Sequence, residues 1–474
     1  MAKQIIVIGA GMGGLSAAIH ARLNGNEVLV LEKSGVPGGK AAGITMEGFH
    51  LDPGPSIIIL PEIYESVFRR AGGRMEDYLH FQRLPILSRI FFGKDNLIDL
   101  PADEGECLKL LSSFAPRDAQ QLGRLLDKLG SLEPALDKTI YDHPFSRPSQ
   151  LLDMNLLKFG LKLNPLKRYK DIVDNLFESP LVKAFFYGFP SYSGQSYEAK
   201  SPSGLFIPFY MLRHGSFFPV GGVRAIPAAF YRLAVELGVE FRFNQHVAGL
   251  DLEGDRVAAV RLSDGEKERA DAYICNVENL TLGEDESRPP SYSYFTLQTG
   301  LRHTCSQLEH HNLFIPTDFE RSFEQLYHKG EFPDEPIVYV NYTRALDPTS
   351  CPPGQSILFA AVTTPAENGV ADWKREEGVF RDRVLDSLLQ GGIEISPEDI
   401  IFERRQSPPY FAEAHGNYRG SLYGFSESER LWGMFPRSNQ EHIENLAYCG
   451  GWTQPGAGMP MVTLSGRFAA DLVS

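Results

Sequence analysis

Residues 4–56 read QIIVIGAGMGGLSAAIHARLNGNEVLVLEKSGVPGGKAAGITMEGFHLDPGPS, and the order of features in this stretch decides the fold. The apolar run Gln4 to Ile8 leads straight into Gly9-Ala10-Gly11-Met12-Gly13-Gly14, so it reads as a buried parallel strand ending in a glycine turn. The spacing is GxGxxG. Gly9 permits the tight turn, Gly11 lets backbone approach a pyrophosphate, and Gly14 lets the following helix pack closely on the strand. A helix from Leu15 to about Leu23 then aims its first amides, with those of Met12 and Gly13, at an anion. A second strand, Glu27 to Leu31, delivers Glu32 and Lys33 about 20 residues beyond the glycines, where a carboxylate can accept hydrogen bonds from ribose hydroxyls. An acid here, rather than Arg, argues against a 2′-phosphate.

The same fingerprint serves NAD and FAD, and the next residues separate them. Pro37-Gly38-Gly39-Lys40 follows, then Gly48-Phe49-His50-Leu51-Asp52-Pro53-Gly54-Pro55-Ser56. Together these motifs resemble the glycine-doublet flavoproteins, specifically the bacterial phytoene desaturases and related carotenoid oxidoreductases. The resemblance implies bound FAD, with Gly38, Gly39, Lys40, Gly54, Pro55 and Ser56 near it. Lys40 and Ser56 stand where that family usually has Arg and Thr. The charge and the hydroxyl are kept, but Lys lacks the bidentate fork that Arg offers a phosphate.

At 474 residues, with 43% hydrophobic content and 32 prolines, the chain has core enough for two or three domains. Its net charge of −14 argues against nucleic acid as a partner. Five cysteines are scattered without a CxxC pair, so neither a disulfide framework nor a zinc site is expected, and a reducing compartment is. Met1-Ala2-Lys3 runs directly into the first strand without room for a leader, and no stretch approaches the roughly 20 apolar residues of a spanning helix. A soluble or peripheral protein is expected. Walker, HExxH and GxSxG motifs are all missing. His310-His311 reads as a surface loop pair, because adjacent side chains diverge and no third ligand is spaced to join them.

Past the cradle, Glu62 to Ala71 reads as a helix, Phe81 to Leu100 as short strands, and Leu108 to Leu136 as helices with capping-type starts such as Asp118 before Ala119. Leu151 to Tyr169 mixes apolar residues with Lys158, Lys162, Lys167 and Arg168. In an acidic chain it reads either as a docking surface for anionic membrane or as a solvated helix. The aromatic segment from Phe185 to Phe218, broken by Gly and Pro, suits a cavity wall, with Phe185, Phe186, Phe189, Phe206, Phe209 and Tyr210 as substrate-facing candidates. Val239 to Phe243 and a meander over Val247–Leu252, Arg256–Leu262 and Glu266–Ala270 return the chain to the dinucleotide domain. The resemblance places Val247 against the adenine. Gly283 to Pro290 reads as a linker.

Near the C-terminus, strand Leu446 to Cys449 precedes the loop Gly450-Gly451-Trp452-Thr453-Gln454-Pro455-Gly456-Ala457-Gly458 and a helix from Met459 to Leu472. A helix N-terminus there, at Met459, Pro460 and Met461, would stabilise negative charge on a reduced flavin. The loop is similar to the carotenoid desaturase signature, except that Gln454 replaces a frequent His. Gln454 is therefore the flavin-proximal candidate for catalysis, and no other catalytic residue is read.

The expected class is α/β: a Rossmann-type FAD-binding domain, discontinuous over 1–100, 215–282 and 425–474, with an α+β substrate domain over 101–214 and 283–424. The resemblance implies an FAD-dependent desaturase of an acyclic polyene, phytoene-type or hydroxylated. A ketolase, isomerase or retinoid saturase is the alternative on the same fold, and a prenyl-lipid-binding protein of the Rab GDP-dissociation-inhibitor type the non-catalytic one. One fingerprint implies one dinucleotide, so quinone or oxygen is the expected electron acceptor. The expected location is cytoplasmic and peripheral, on the inner face of the membrane, with no metal.

Overall fold

The computed structural model describes residues 2–94, 96–136, 141–144, 167–200, 202–278, 280, 288–366, 372–426 and 436–474. Its organising element is a five-stranded parallel sheet of β1 (Gln4–Ile8), β2 (Glu27–Leu31), β3 (Glu240–Arg242), β4 (Ala272–Cys275) and β5 (Leu446–Tyr448), in the order β5-β4-β1-β2-β3. Alternate residues of β1 serve opposite faces. Ile5 and Val7 pack among α1 (Met12–Leu23), α2 (Ala225–Glu236) and α3 (Met459–Val473), whereas Ile6 and Ile8 pack with Val247, Val260 and Trp452 on the other side. Both faces are covered, which is why the strand is almost continuously apolar.

Helix α1 begins at Met12, three residues before the expected Leu15, because Gly13 and Gly14 already lie in its first turn. It packs on α3 through small residues. A Cβ on Gly466 would sit 2.3 Å from the Gly13 carbonyl oxygen and 2.7 Å from the Ala17 nitrogen, and Ser16 Oγ donates to the Thr463 carbonyl at 2.6 Å. The first half of α3 is thereby fastened to the first glycine turn.

A second lobe is built on a seven-stranded sheet in the order 400–406, 293–301, 356–364, 338–341, 311–315, 86–92, 96–101. Its pairs are antiparallel except that His311–Ile315 runs parallel to Ile86–Phe92. Residues 89–92 thus pair with a strand more than 200 positions later, and 96–101 follows them as the edge strand. One face carries Phe295, Leu297, Val340 and Ala360 against the helix Trp373–Gln390, where Phe380 lies 5.3 Å from Phe295 ring to ring. The opposite face looks back toward the dinucleotide domain. The helices Glu104–Phe114, Pro116–Gly130, Pro180–Tyr187 and Phe206–Arg213 roof it over. The architecture is the expected α/β dinucleotide domain with an α+β lobe.

Two local expectations need correction, and a third falls mostly outside the described residues. Asp118 lies inside the helix that starts at Pro116, and its carboxylate accepts the Glu178 and Ser179 amides at 2.9 and 2.8 Å. It ties that helix to the start of the helix Pro180–Tyr187 instead of capping its own. His310 and His311 are no surface pair: they are 6% and 2% exposed, at the start of an interior strand beneath Phe218 and beside Tyr339. In the basic stretch, Lys158 and Lys162 lie outside the described residues. Lys167 is exposed, and Arg168 is paired with Asp171 at 2.7 Å and Glu198 at 2.8 Å. Among the described residues no helix is long and apolar enough to cross a membrane, no cluster could hold a metal ion, and all five cysteines are buried thiols.

Candidate active site

A cavity of about 1230 Å³ runs from the β1 glycine turn, past the start of α3, into the second lobe. Single small-molecule sites hold about 300–1,000 Å³, so this one has room for a cofactor and a substrate together. Gly9 has φ +92°, a value open to glycine, and its N–H donates to the Leu31 carbonyl at 2.8 Å. The first intrahelical bond runs from Leu15 N to Gly11 O, which leaves the preceding amides directed outward. Gly9, Gly11, Met12 and Gly13 line the cavity. Gly14 does not, but a Cβ there would stand 1.9 Å from the Gly9 oxygen, so its role is the close packing foreseen for it.

Glu32 is 8% exposed and lines the same end. Its Oε2 accepts the Ala10 amide at 2.6 Å and its Oε1 the Ser34 amide at 2.8 Å, which keeps the carboxylate in place with lone pairs remaining for a ribose. Lys33 lines the wall and donates to the Glu413 carbonyl at 2.7 Å. Gly38, at φ +117°, bonds back to Ala10, and a Cβ on Gly39 would come within 3.2 Å of the Gly11 Cα. The glycine doublet therefore lies directly against the glycine turn. Gly54 presses on the Lys40 carbonyl, where a Cβ would stand at 1.9 Å, and brings Pro55 and Ser56 to the wall. Val247 lines it from the start of the meander.

Lys40 does not stand alone. Its Nζ donates to the Leu422 carbonyl at 3.1 Å and lies 3.8 Å from Glu278 Oε1. Burial pulls the amine down and pushes the carboxyl up, while their mutual attraction opposes both shifts. Burial first, then the Lys40, Lys33 and Arg404 charges, lowers nearby His415 to about 3, so this wall holds a neutral imidazole.

At the C-terminal wall, Gly450, Gly451, Met459, Pro460 and Met461 line the cavity, and α3 starts there. Asn439 holds this loop, donating to the carbonyls of Tyr448 and Gln454 at 3.0 Å each and to Ser465 Oγ at 3.1 Å. Gln454 is among the residues it pins. Its side-chain nitrogen turns to the Pro436 carbonyl at 3.3 Å, and it is absent from the cavity lining, which passes from Trp452 to Pro455. Loop packing thus turns the Gln454 side chain away from the cavity that its neighbours Trp452 and Pro455 line.

The floor of the inner chamber is the free face of the seven-stranded sheet. Tyr294, Thr296, Leu313, Tyr339, Ala361 and Thr363 share that face by their alternation along the strands. Of the six aromatic candidates, Phe206 and Tyr210 line the chamber. Phe185 and Phe189 line a void of about 40 Å³ behind it, and Phe186 and Phe209 line neither, being packed in the helical core at 2% and 0% exposure. On an amphipathic helix, neighbouring aromatics point different ways. The sequence reading missed Asn276, whose amide stands 2.8 Å from where a Gly11 Cβ would be, and the sheet-floor tyrosines. Asn276 follows directly on β4, as Gly9 follows on β1, and that parallel placement is the available signal.

The outward amides at the start of α1, the fixed Glu32 carboxylate and the start of α3 together fit a dinucleotide with a charge-accepting ring. Residues 12–474 match the family described as flavin-containing amine oxidoreductase. The chain belongs to that family and is an FAD-dependent oxidoreductase. It is 29% identical to a 4,4'-diaponeurosporene oxygenase of Staphylococcus haemolyticus, over 100% of this chain and 97% of that protein. It is 31% identical to a zeta-carotene-forming phytoene desaturase of Myxococcus xanthus, over 99% and 93%. Among solved structures, a putrescine oxidase variant from a cofactor-binding redesign superposes with a TM-score of 0.65 at 14% identity, covering 100% of this chain and 99% of that one.

Proposed function

We propose that this protein is a carotenoid desaturase that oxidises an acyclic polyene, phytoene-type or hydroxylated, and that the cavity binds FAD and polyene end to end. The observation that carries the reading is the inner chamber, which continues the glycine-lined end and is walled by apolar and phenolic side chains. A polyene needs such a chamber for orientation and for exclusion of water, more than it needs strong acids. Gly11, Met12 and Gly13 hold the pyrophosphate, Glu32 the ribose, Val247 the adenine, and Gly450, Gly451 and Met459 to Met461 the ring. Lys40, Gly54, Pro55 and Ser56 form the opposite wall. Bound flavin supplies a two-electron acceptor for a hydride from carbon.

The domain of 1–100, 215–282 and 425–474 is taken as the cofactor half and that of 101–214 and 283–424 as the substrate half, with strands from 86–101 crossing into the substrate sheet. Peripheral association with the inner face of the membrane and reoxidation by quinone or oxygen complete the proposal, because a lipid-resident substrate enters most readily from lipid. The relatives named for an oxygenase and for a desaturase lie at almost equal identity, which favours the ketolase as the second reading.

The test is to supply phytoene, a more desaturated acyclic carotene and its hydroxylated derivative in liposomes to the FAD-saturated protein. A product absorbing further to the red supports desaturation. Products with unchanged chromophore length that carry new oxygen move the assignment to the ketolase, and a change of geometry alone moves it to the isomerase.

A further inference from the structure

At the edge of the chamber floor lies a group of polar side chains that cofactor binding does not use. Tyr339 lines the chamber, and its hydroxyl lies 2.6 Å from His311 Nδ1. His311 is on the neighbouring strand, paired with Asn341, while Tyr339 pairs with Leu313. The tyrosine and histidine are therefore diagonal neighbours on one sheet face. The hydroxyl thus joins the chamber wall, which Ser56 of the Gly-Pro-Ser segment also lines, to an interior histidine.

His311 Nε2 and His310 Nδ1 are buried without a protein hydrogen-bond partner. Leaving such atoms unpaired in the interior is unfavourable, which a purely structural site would avoid with apolar residues. The void of about 40 Å³ that His311 and Tyr339 line is large enough for one water. Burial, reinforced by His310, holds the His311 imidazole well below its ordinary value, so it rests neutral. In the tautomer of His311 that carries its proton on Nε2, the hydroxyl proton of Tyr339 has Nδ1 as its acceptor.

Resting on the desaturase reading, we propose that Tyr339 and His311 are the proton-accepting dyad of the reaction. A bound flavin would supply the acceptor for one hydrogen with its electron pair. The proton on the adjacent carbon is transferred to the Tyr339 phenol oxygen, whose own proton passes to His311 Nδ1. The C–H electron pair becomes the new C=C bond, and the dyad ends as neutral tyrosine and imidazolium, one proton richer. Tyr339 is the catalytic residue. His311 acts through it.

Two measurements on the FAD-loaded protein decide this. In [15N]histidine-labelled protein, with the His311 signals assigned by their loss in His311→Asn, the expected form carries its proton on Nε2 and accepts at Nδ1. A proton on Nδ1 overturns the dyad, whatever the reaction is. Turnover is then compared for wild type, Tyr339→Phe and His311→Asn, the last of which keeps a hydrogen-bonding group near Nδ1 but cannot take up a proton. Both variants are expected to retain FAD and KM within about twofold and to lose kcat by on the order of a hundredfold, the scale of general-base catalysis. A kcat within twofold of wild type in His311→Asn also overturns the proposal. A wild-type protein that oxidises no polyene defeats the desaturase reading instead, and with it the catalytic role, while the tautomer still reports whether the hydrogen-bonded pair is poised as drawn.

Discussion

Asp52 Oδ2 accepts the backbone N–H of Val223 at 2.8 Å, joining two segments of the cofactor domain that lie 171 positions apart. Its other oxygen accepts the Arg224 amide at 3.1 Å, beside the start of α2, and a Cβ on Gly222 would stand 2.4 Å from the carboxylate. Asp52→Ala strands two buried or half-buried amides, each worth about 1–3 kcal/mol. The expected result is a clear fall in Tm together with loss of FAD on gel filtration. Asp52→Asn keeps one acceptor oxygen and should fall between the two.

Gly466 tests the crossing of α1 and α3. Because a Cβ there would meet Gly13 and Ala17 backbone, Gly466→Val must push the helices apart. Overpacking of this kind costs about 1–3 kcal/mol, and the displaced backbone is that of the GxGxxG turn. FAD affinity measured by fluorescence titration should weaken along with Tm. Gly11→Val should abolish FAD retention, because the side chain would occupy the space left for the pyrophosphate.

Gln454→His should change turnover less than about tenfold, which is under about 1.4 kcal/mol of barrier. The side chain is held by the Pro436 carbonyl outside the cavity. A loss of a hundredfold or more in steady-state desaturation would show that the loop reopens in the loaded enzyme.

His20 makes stability pH-dependent. It is buried at 3% exposure, its Nδ1 lies 3.0 Å from an Arg70 guanidinium nitrogen, and burial followed by the Arg70 and Arg467 charges lowers it from 6.5 to about 3. Between those values the unfolded chain binds a proton that the folded one does not. The contribution is full above about 6.5 and is lost as pH falls toward 3, at up to about 1.4 kcal/mol per unit. Relative to His20→Gln, wild type should lose about 2 kcal/mol between pH 6.5 and 5, read from chemical unfolding at each pH.

The cradle was legible because its signals are local: strand, glycine turn, helix, strand and Glu32 follow one another within a few dozen residues, and each constrains the next. The second lobe was not. Nothing near Ile86 announces that it will run parallel to His311–Ile315, since pairing partners so far apart leave no mark in either segment alone. His310-His311 read as surface because polar letters do so by default, and the rings of Phe218 and Tyr339 that enclose them come from other parts of the chain. The aromatic segment showed composition but not facing, so Phe206 and Tyr210 could not be told from Phe186 and Phe209.

The fastening of α3 to α1 has a consequence for how the enzyme matures. Translation delivers β1 and α1 well ahead of the sheet's edge strand β5, the loop at Gly450 and the helix that covers α1, which lie hundreds of residues downstream. With contacts of this sequence separation, folding of the cofactor half is slow and cannot finish before α3 has been made. Flavin loading therefore waits for α3, and until that helix arrives the apolar face of α1 is a surface for chaperones to hold.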